Sequence, residues 1–298
     1  MRVRLAALVA VGLAACGAPP RPAAPPAAAL GPGGAALTGG AALTGGAADT
    51  VRADWGAAFE RRGLAGTFVL YDVGAGRTSR YDPGRAATRF SPASTSKVFN
   101  GLVFLDRGVV ADPDSLFAWD GVERAVPAWN RDHSLRTGTA VSAVWLFQRL
   151  ALRVGRDGYA EVFARHPYGN AALSDSLEWS WLDGTWRVSA DEQVAFFDAL
   201  RRGALPFSAA DQATARDVLP VLADAGGAVL RAKTGLGLPP GEPPIGWLVG
   251  WVEQPDGDVV FALNASPAGP DAADLGPARL AIAREILEGE GVLPAPGG

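Results

Sequence analysis

Two strand-turn-strand patterns stand near opposite ends of this chain, and they constrain its fold more than any other feature. Near the start, "GTFVLYDV" and "RTSRYDP" flank the turn "GAG"; near the end, "GWLVGWVE" and "DVVFALNAS" flank "QPDG". Alternating apolar residues bounded by Gly, Pro and Asp are the mark of a hairpin. In the second pattern Trp247, Val249 and Trp251 alternate onto one face. The long stretch between the hairpins reads as mostly helical, including "AVSAVWLFQRLALRVG" and "SADEQVAFFDALRRG", and a last helix follows in "LGPARLAIAREIL". Ahead of the first hairpin, "DTVRADWGAAFERRGL" predicts a helix capped by Asp49 or Thr50, with Val51, Trp55 and Phe59 on one face. Strands at both ends around a helical middle imply one sheet assembled from distant pieces. The expected class is α+β, a central antiparallel sheet flanked by helices with a mostly helical subdomain.

The body that folds this way is expected to span residues 49–298. Residues 17–48 are Ala, Gly and Pro with the tandem "AALTGG", too poor in apolar surface to offset the entropy of ordering, and they read as a flexible tether. Residues 1–16 carry two arginines, an apolar run from Leu5 to Ala15 and then Cys16. That run is too short to span a bilayer and reads as a secretory signal. "LAAC" resembles a bacterial lipobox, in which Cys16 would be lipidated, and Gly17 after it would, by that resemblance, imply the outer membrane; a plain signal peptide with an incidental cysteine fits the same residues. An exported, periplasmic protein held to the membrane by lipid alone is expected. Cys16 is the chain's one cysteine, so the mature body has no disulfide, thiol nucleophile or cysteine metal site. Only two histidines remain, His133 and His166, which argues against a histidine-rich zinc hydrolase and for no metal. A net charge of -4 offers no basic face for nucleic acid, and no obligatory protein partner is evident.

Of 27 basic residues only Lys97 and Lys233 are lysine. In "PASTSKVFN", Ser94 and Lys97 are three apart, so on a helix they share a face. A serine needs a base to become a nucleophile, and a desolvated lysine can be one, whereas arginine cannot be deprotonated in a protein. A capping serine followed by a solvated lysine fits the same spacing. Lys233 opens "KTG" at the end of the strand-like "GAVLRA". A cation, a hydroxyl and a glycine suit a sheet edge that a substrate carboxylate and its backbone approach closely, and a strand ending in a polar turn fits equally.

With Ser-x-x-Lys at Ser94 and Lys97, "SAV" at Ser142–Val144, "YGN" at Tyr168–Asn170 and "KTG" at Lys233–Gly235 in this order, the chain resembles the class D serine beta-lactamases, the oxacillinases, within the beta-lactamase and penicillin-binding protein superfamily. "FVLYD", "RFSPAS", "WDG", "PAWNRDHSLRT", "GWLVGWVE" and "EGEGV" extend the resemblance over roughly residues 66–292. It implies a beta-lactamase/transpeptidase fold and hydrolysis of beta-lactam drugs through an acyl-enzyme on Ser94. It also implies that Lys97 takes up carbon dioxide as a carbamate, with no other cofactor, and serves as base for acylation and deacylation. Val144 would keep water from that lysine and the indole N–H of Trp181 would hold the carbamate. Ser142 would relay a proton to the leaving nitrogen, and the backbone N–H groups of Ser94 and Leu236 would form the oxyanion hole. Lys233, Thr234, Gly235 and Arg279 would receive the drug's carboxylate, Trp129 would line its pocket, and Tyr168 and Asn170 would shape a wall near the base or simply form a turn with Gly169.

"YGNAALSDSLEW" lacks the paired glycines often seen after YGN in the family, and Ser96 stands in place of phenylalanine. Its hydroxyl could admit water beside Lys97 or turn into the helix and bond a carbonyl. Two other readings share the fold: a peptidoglycan transpeptidase or carboxypeptidase, and a drug-sensing domain acylated for good. Val144 with Trp181 argues against the first. The lack of a membrane-spanning stretch after residue 16 argues against the second.

Overall fold

The computed structural model describes residues 49–295; the expected leader, lipobox and tether lie outside the described residues. The chain opens with strand β1 (Thr50–Val51), a 3-10 turn at Ala53–Trp55 and helix α1 (Gly56–Glu60), followed by the hairpin β2 (Leu64–Asp72) and β3 (Arg77–Tyr81). Helix α2 (Pro83–Ala87) leads to a 3-10 turn at Ala93–Thr95 and helix α3 (Ser96–Asp106). Helices α4 (Leu135–Val141), α5 (Val144–Arg165), α6 (Ala190–Arg201) and α7 (Ala209–Asp217) make up the helical middle. Strands β4 (Val221–Ala225), β5 (Ala228–Gly237), β6 (Ile245–Glu253) and β7 (Val259–Pro267) and helix α8 (Leu275–Gly289) complete the body.

The strands form one seven-stranded sheet in the order β1-β3-β2-β7-β6-β5-β4. The two hairpins meet through β2 and β7, which pair antiparallel over their full lengths, from Leu64 opposite Pro267 to Asp72 opposite Val259. This joins the two ends of the chain, as the alternating patterns require. The sheet is antiparallel from β3 to β4, but β1 adds itself parallel to β3, so it is mixed.

Two expectations for helices change. Thr50 and Val51 pair with Ser79 and Arg80 rather than beginning a helix, and Val51 is exposed. Trp55 and Phe59 do share a buried face, and Arg52 and Trp55 both bond Glu290 beyond α8. The stretch "AVSAVWLFQRLALRVG" is two helices, because Ser142 adopts the left-handed conformation with φ 57 and ends α4. Within α5, Gly155 is also non-helical, with φ 73. Helix α6 begins as its sequence suggests, Ser189 accepting from the Glu192 amide while the Glu192 carboxylate accepts from the Ser189 amide.

Alternation along the strands separates two apolar layers. Trp247, Val249, Trp251, Val260 and Ala262 join α3, α5 and α6 on one face, while Leu248, Val252, Phe261 and Leu263 pack with α1 and α8 on the other. Strand β4 pairs only with Ala228–Arg231 of β5, and the Pro220 carbonyl then accepts from Ala232 N–H. Beyond Ala232 that side of β5 has no strand beside it among the described residues. The "KTG" segment therefore does lie at a sheet edge, although β5 itself is not the last strand.

Candidate active site

The segment before α3 is held in a conformation that an L-residue rarely adopts. Ala93 has φ 48 and is fully buried, an arrangement that costs about 1–3 kcal/mol and persists only where its surroundings over-determine it. Those surroundings are identifiable. The Trp181 carbonyl accepts from Ala93 N–H at 3.1 Å and from Ser91 Oγ at 2.9 Å, and Trp247 Nε1 donates to the Ser91 carbonyl at 2.9 Å. Thr95 Oγ1 donates to the Pro92 carbonyl at 2.7 Å and accepts from Gln193 Nε2 at 2.8 Å. Gly235 closes the ring, since a Cβ there would stand 3.2 Å from both the Pro92 carbonyl oxygen and Thr95 Cγ2. The left-handed residue sets the orientation of the one after it, Ser94.

Lys97, in the first turn of α3, is 1% exposed and its Nζ lies 3.1 Å from Ser94 Oγ. The amine lies 5.0 Å from the centre of the Phe147 ring. Burial pushes its pKa down to about 7, so the free amine is well populated at neutral pH. Ser96, beside it, is fully buried and donates to the Ala93 carbonyl at 2.7 Å. Of the two expectations for this hydroxyl, the bond to a carbonyl is the one realised.

Across from this pair, Lys233 Nζ donates to Ser142 Oγ at 2.6 Å and to the Thr234 carbonyl at 3.0 Å. Burial lowers its pKa well below the ordinary value, and the positive charges of Lys97 and Arg279 lower it further. Ser142 owes its place to the break between α4 and α5. Trp129 Nε1 secures the last residue of α4 by donating to the Val141 carbonyl at 2.8 Å, and Trp145 Nε1 donates to the Trp129 carbonyl at 2.8 Å. Val144 begins α5, half-buried.

Backbone amides alternate in direction along a strand. Ala232 N–H points toward Pro220, so the N–H groups of Thr234 and Leu236 point the same way, into the space that β4 leaves open. The Leu236 side chain packs toward the α8 face. Arg279 of α8 donates from Nη1 to the Gly235 carbonyl; burial lowers its pKa to about 10, and its buried Nε has no partner.

Trp181 is fully buried and its indole N–H has no hydrogen-bond partner among the described residues. A buried donor left unmatched costs about 1–3 kcal/mol, so an acceptor is called for there. A carboxylate carried on Lys97 is an acceptor of the required kind. A buried amine of lowered pKa and an unmatched donor thus fit the group that the family resemblance implies.

Tyr168 and Asn170 stand behind this constellation rather than in it. Tyr168 is buried among Phe99, Trp186 and Phe196, and its OH donates to Gln193 Oε1 at 2.7 Å, one hydrogen bond removed from Thr95. Asn170 is exposed, and its side chain bonds the Thr185 carbonyl and the Arg187 amide. Sequence reasoning missed Phe147, Thr95 and Gln193. Phe147 follows Val144 by three on one helix face, a spacing that could have flagged it. Nothing local marks Gln193, whose partner is distant in sequence.

The comparisons with known proteins agree with this geometry. Residues 67–288 match the penicillin binding protein transpeptidase domain. Beta-lactamase OXA-15 of Pseudomonas aeruginosa is 38% identical over 245 residues, which is 82% of this chain and 86% of that protein. FUS-1 (OXA-85), a class D beta-lactamase from Fusobacterium nucleatum subsp. polymorphum, superposes with a TM-score of 0.77 at 33% identity, covering 82% of this chain and all of that one (100%). The C-terminal domain of the Bacillus licheniformis BlaR penicillin-receptor has a TM-score of 0.76 at 30% identity, covering 83% of this chain and 98% of that one. The chain belongs to the penicillin-binding transpeptidase family. Within it, the chain is a class D beta-lactamase.

Proposed function

We propose that the protein hydrolyses beta-lactam antibiotics with Ser94 as nucleophile and a carboxylated Lys97 as base. Two observations carry this reading: the desolvated Lys97 amine lies 3.1 Å from Ser94 Oγ, and the buried Trp181 indole N–H has no partner among the described residues. The free amine adds to carbon dioxide, forming an N–C bond and releasing one proton to solvent. When carboxylated, Lys97 supplies an anionic base at the Ser94 hydroxyl for acylation and for deacylation. Val144 and Phe147 keep that base from bulk water, and Trp181 donates to it.

Ser94 Oγ bonds to the lactam carbonyl carbon as the lactam C–N bond breaks. The backbone N–H groups of Ser94 and Leu236 stabilise the oxygen on which charge develops. Ser142 passes a proton to the departing nitrogen, oriented by Lys233. Lys233, Thr234 and Arg279 bind the drug's carboxylate, with Gly235 admitting its backbone and Trp129 at the pocket wall. Water then cleaves the Ser94 ester and restores the hydroxyl.

The decisive measurement is nitrocefin hydrolysis with and without added bicarbonate, for wild type, Ser94→Ala and Lys97→Ala. Wild type should turn over and be stimulated by bicarbonate, less so as pH falls below about 7, where the Lys97 amine becomes protonated. Lys97→Ala should lose about 10²–10⁴-fold and Ser94→Ala nearly all activity. A stable adduct on Ser94 without turnover would instead assign a sensor, as the likeness to the BlaR receptor domain allows, or a transpeptidase. Normal deacylation by Lys97→Ala would refute the base. We also propose lipidation at Cys16 and a periplasmic, outer-membrane location; a mature protein without acyl groups on Cys16, by mass spectrometry, overturns that.

A further inference from the structure

Trp181 lies in a connection, residues 177–188, that has little regular structure of its own beyond a 3-10 turn at Leu177–Trp179. Three contacts frame it. Asn170 grips it from one side: Asn170 Oδ1 accepts from Arg187 N–H at 2.8 Å, Nδ2 donates to the Thr185 carbonyl at 2.9 Å, and Asn170 N–H donates to the Arg187 carbonyl at 2.9 Å. Gly169 allows this approach, because with φ 64 and a Cβ that would fall 2.0 Å from the Arg187 carbonyl oxygen no other residue fits.

On the other side the Arg187 guanidinium donates from Nε to the Gly184 carbonyl at 2.8 Å and pairs through Nη2 with Glu242. Glu242 belongs to the connection between β5 and β6, which rests against Gly184: a Cβ there would lie 3.2 Å from Glu242 Oε1 and 3.4 Å from Pro239 Cβ. The third contact passes the restraint inward. Trp186 N–H donates to the Ser180 carbonyl at 2.9 Å, fixing the residue before Trp181, whose own carbonyl holds Ala93 and Ser91.

We propose that Asn170, Arg187 and Glu242 are positioning residues that act through Trp181 to set how firmly Lys97 retains its carbon dioxide-derived carboxylate. This rests on the carbamate reading above. None of the three is assigned a place at the reacting atoms. Their effect is to fix the connection that carries Trp181, and so the place of its unmatched indole N–H.

The test is ¹³C NMR of the full chain titrated with ¹³C-bicarbonate at fixed pH, following the carbamate carbon. Wild type, Glu242→Gln, Trp181→Phe and the double variant are compared. Glu242 and Arg187 are 31% and 34% exposed, so Glu242→Gln leaves the core intact. Its half-saturating bicarbonate should rise about two- to fivefold, the range of a partly exposed ion pair, and its acylation rate at saturating bicarbonate should match wild type. Trp181→Phe should raise half-saturation further, and the double variant should match Trp181→Phe alone. If Glu242→Gln titrates like wild type, or if its effect persists in full on the Trp181→Phe background, the clasp is refuted while the base stands. A wild type with no carbamate signal refutes both.

Discussion

The two faces of the sheet are built from alternate residues of the same strands, yet they hold different chemistry. On the α8 face, Phe59, Phe68, Leu248, Phe261, Leu263, Ile282 and Leu287 are fully or almost fully buried and form one apolar layer. The opposite face is as well buried, but it contains two lysines without a carboxylate partner, an unmatched indole N–H, and left-handed backbone at Ala93 and Ser142. Each of those features is unfavourable to folding. What the first face contributes in stability the second face spends on a desolvated lysine and a presented serine.

That contrast can be broken by substitution. Phe261→Ala removes a ring from the stable face and should cost about 3–5 kcal/mol, measured as a lower urea midpoint. The activity of the molecules that remain folded should be unchanged, and a comparable loss of their turnover would mean that the two faces are not separable. Lys97→Met should act in the opposite sense, abolishing activity while stabilising the fold. The folded pKa of about 7 lies below the ordinary 10.5. The unfolded chain therefore holds a proton that the folded one lacks between those values, and wild-type stability rises with pH across that window. Below about pH 7 the cost of burying the lysine is fully present. Without bicarbonate, the gain for Lys97→Met should be about 2–4 kcal/mol at pH 6 and shrink toward pH 10; a gain independent of pH would show that lysine burial is not its source. Ser96→Ala should have the smallest effect, about 1 kcal/mol from the lost bond to the Ala93 carbonyl, read as a melting shift of about 2–4 °C. Its bicarbonate dependence should be that of wild type, because the hydroxyl is committed to the Ala93 carbonyl.

Much of the stable face was legible in the sequence, since strands carry their burial as a period of two and both hairpins are punctuated by turn residues. The site was legible in part. Two lysines among many arginines marked Lys97 and Lys233 without any structure, and spacing placed Ser94 beside Lys97. The break at Ser142 was hidden, because the apolar pattern runs on through "AVSAVW" as if one helix continued. A left-handed residue forced by distant partners leaves no periodic trace. The same is true of Thr95 and Gln193, joined by a hydrogen bond across 98 positions. The N-terminal segment misled for another reason: Thr50 and Val51 carry an apolar residue at helical spacing, but the unpaired edge of β3 claims them first.

Strand β4 stops short, leaving the last six residues of β5, Ala232–Gly237, without a neighbouring strand on one side among the described residues. An unfilled edge of this kind is a template, and its most available occupant is the protein's own chain. Were β4 extended by a few residues in register, it would gain backbone hydrogen bonds with Thr234 and Leu236 and close the space where a ligand must lie. The enzyme would become its own competitive inhibitor. The pairing runs through a register shift between Val221 and Ala223 and ends at Val221 opposite Arg231, with the Pro220 carbonyl taking the last bond.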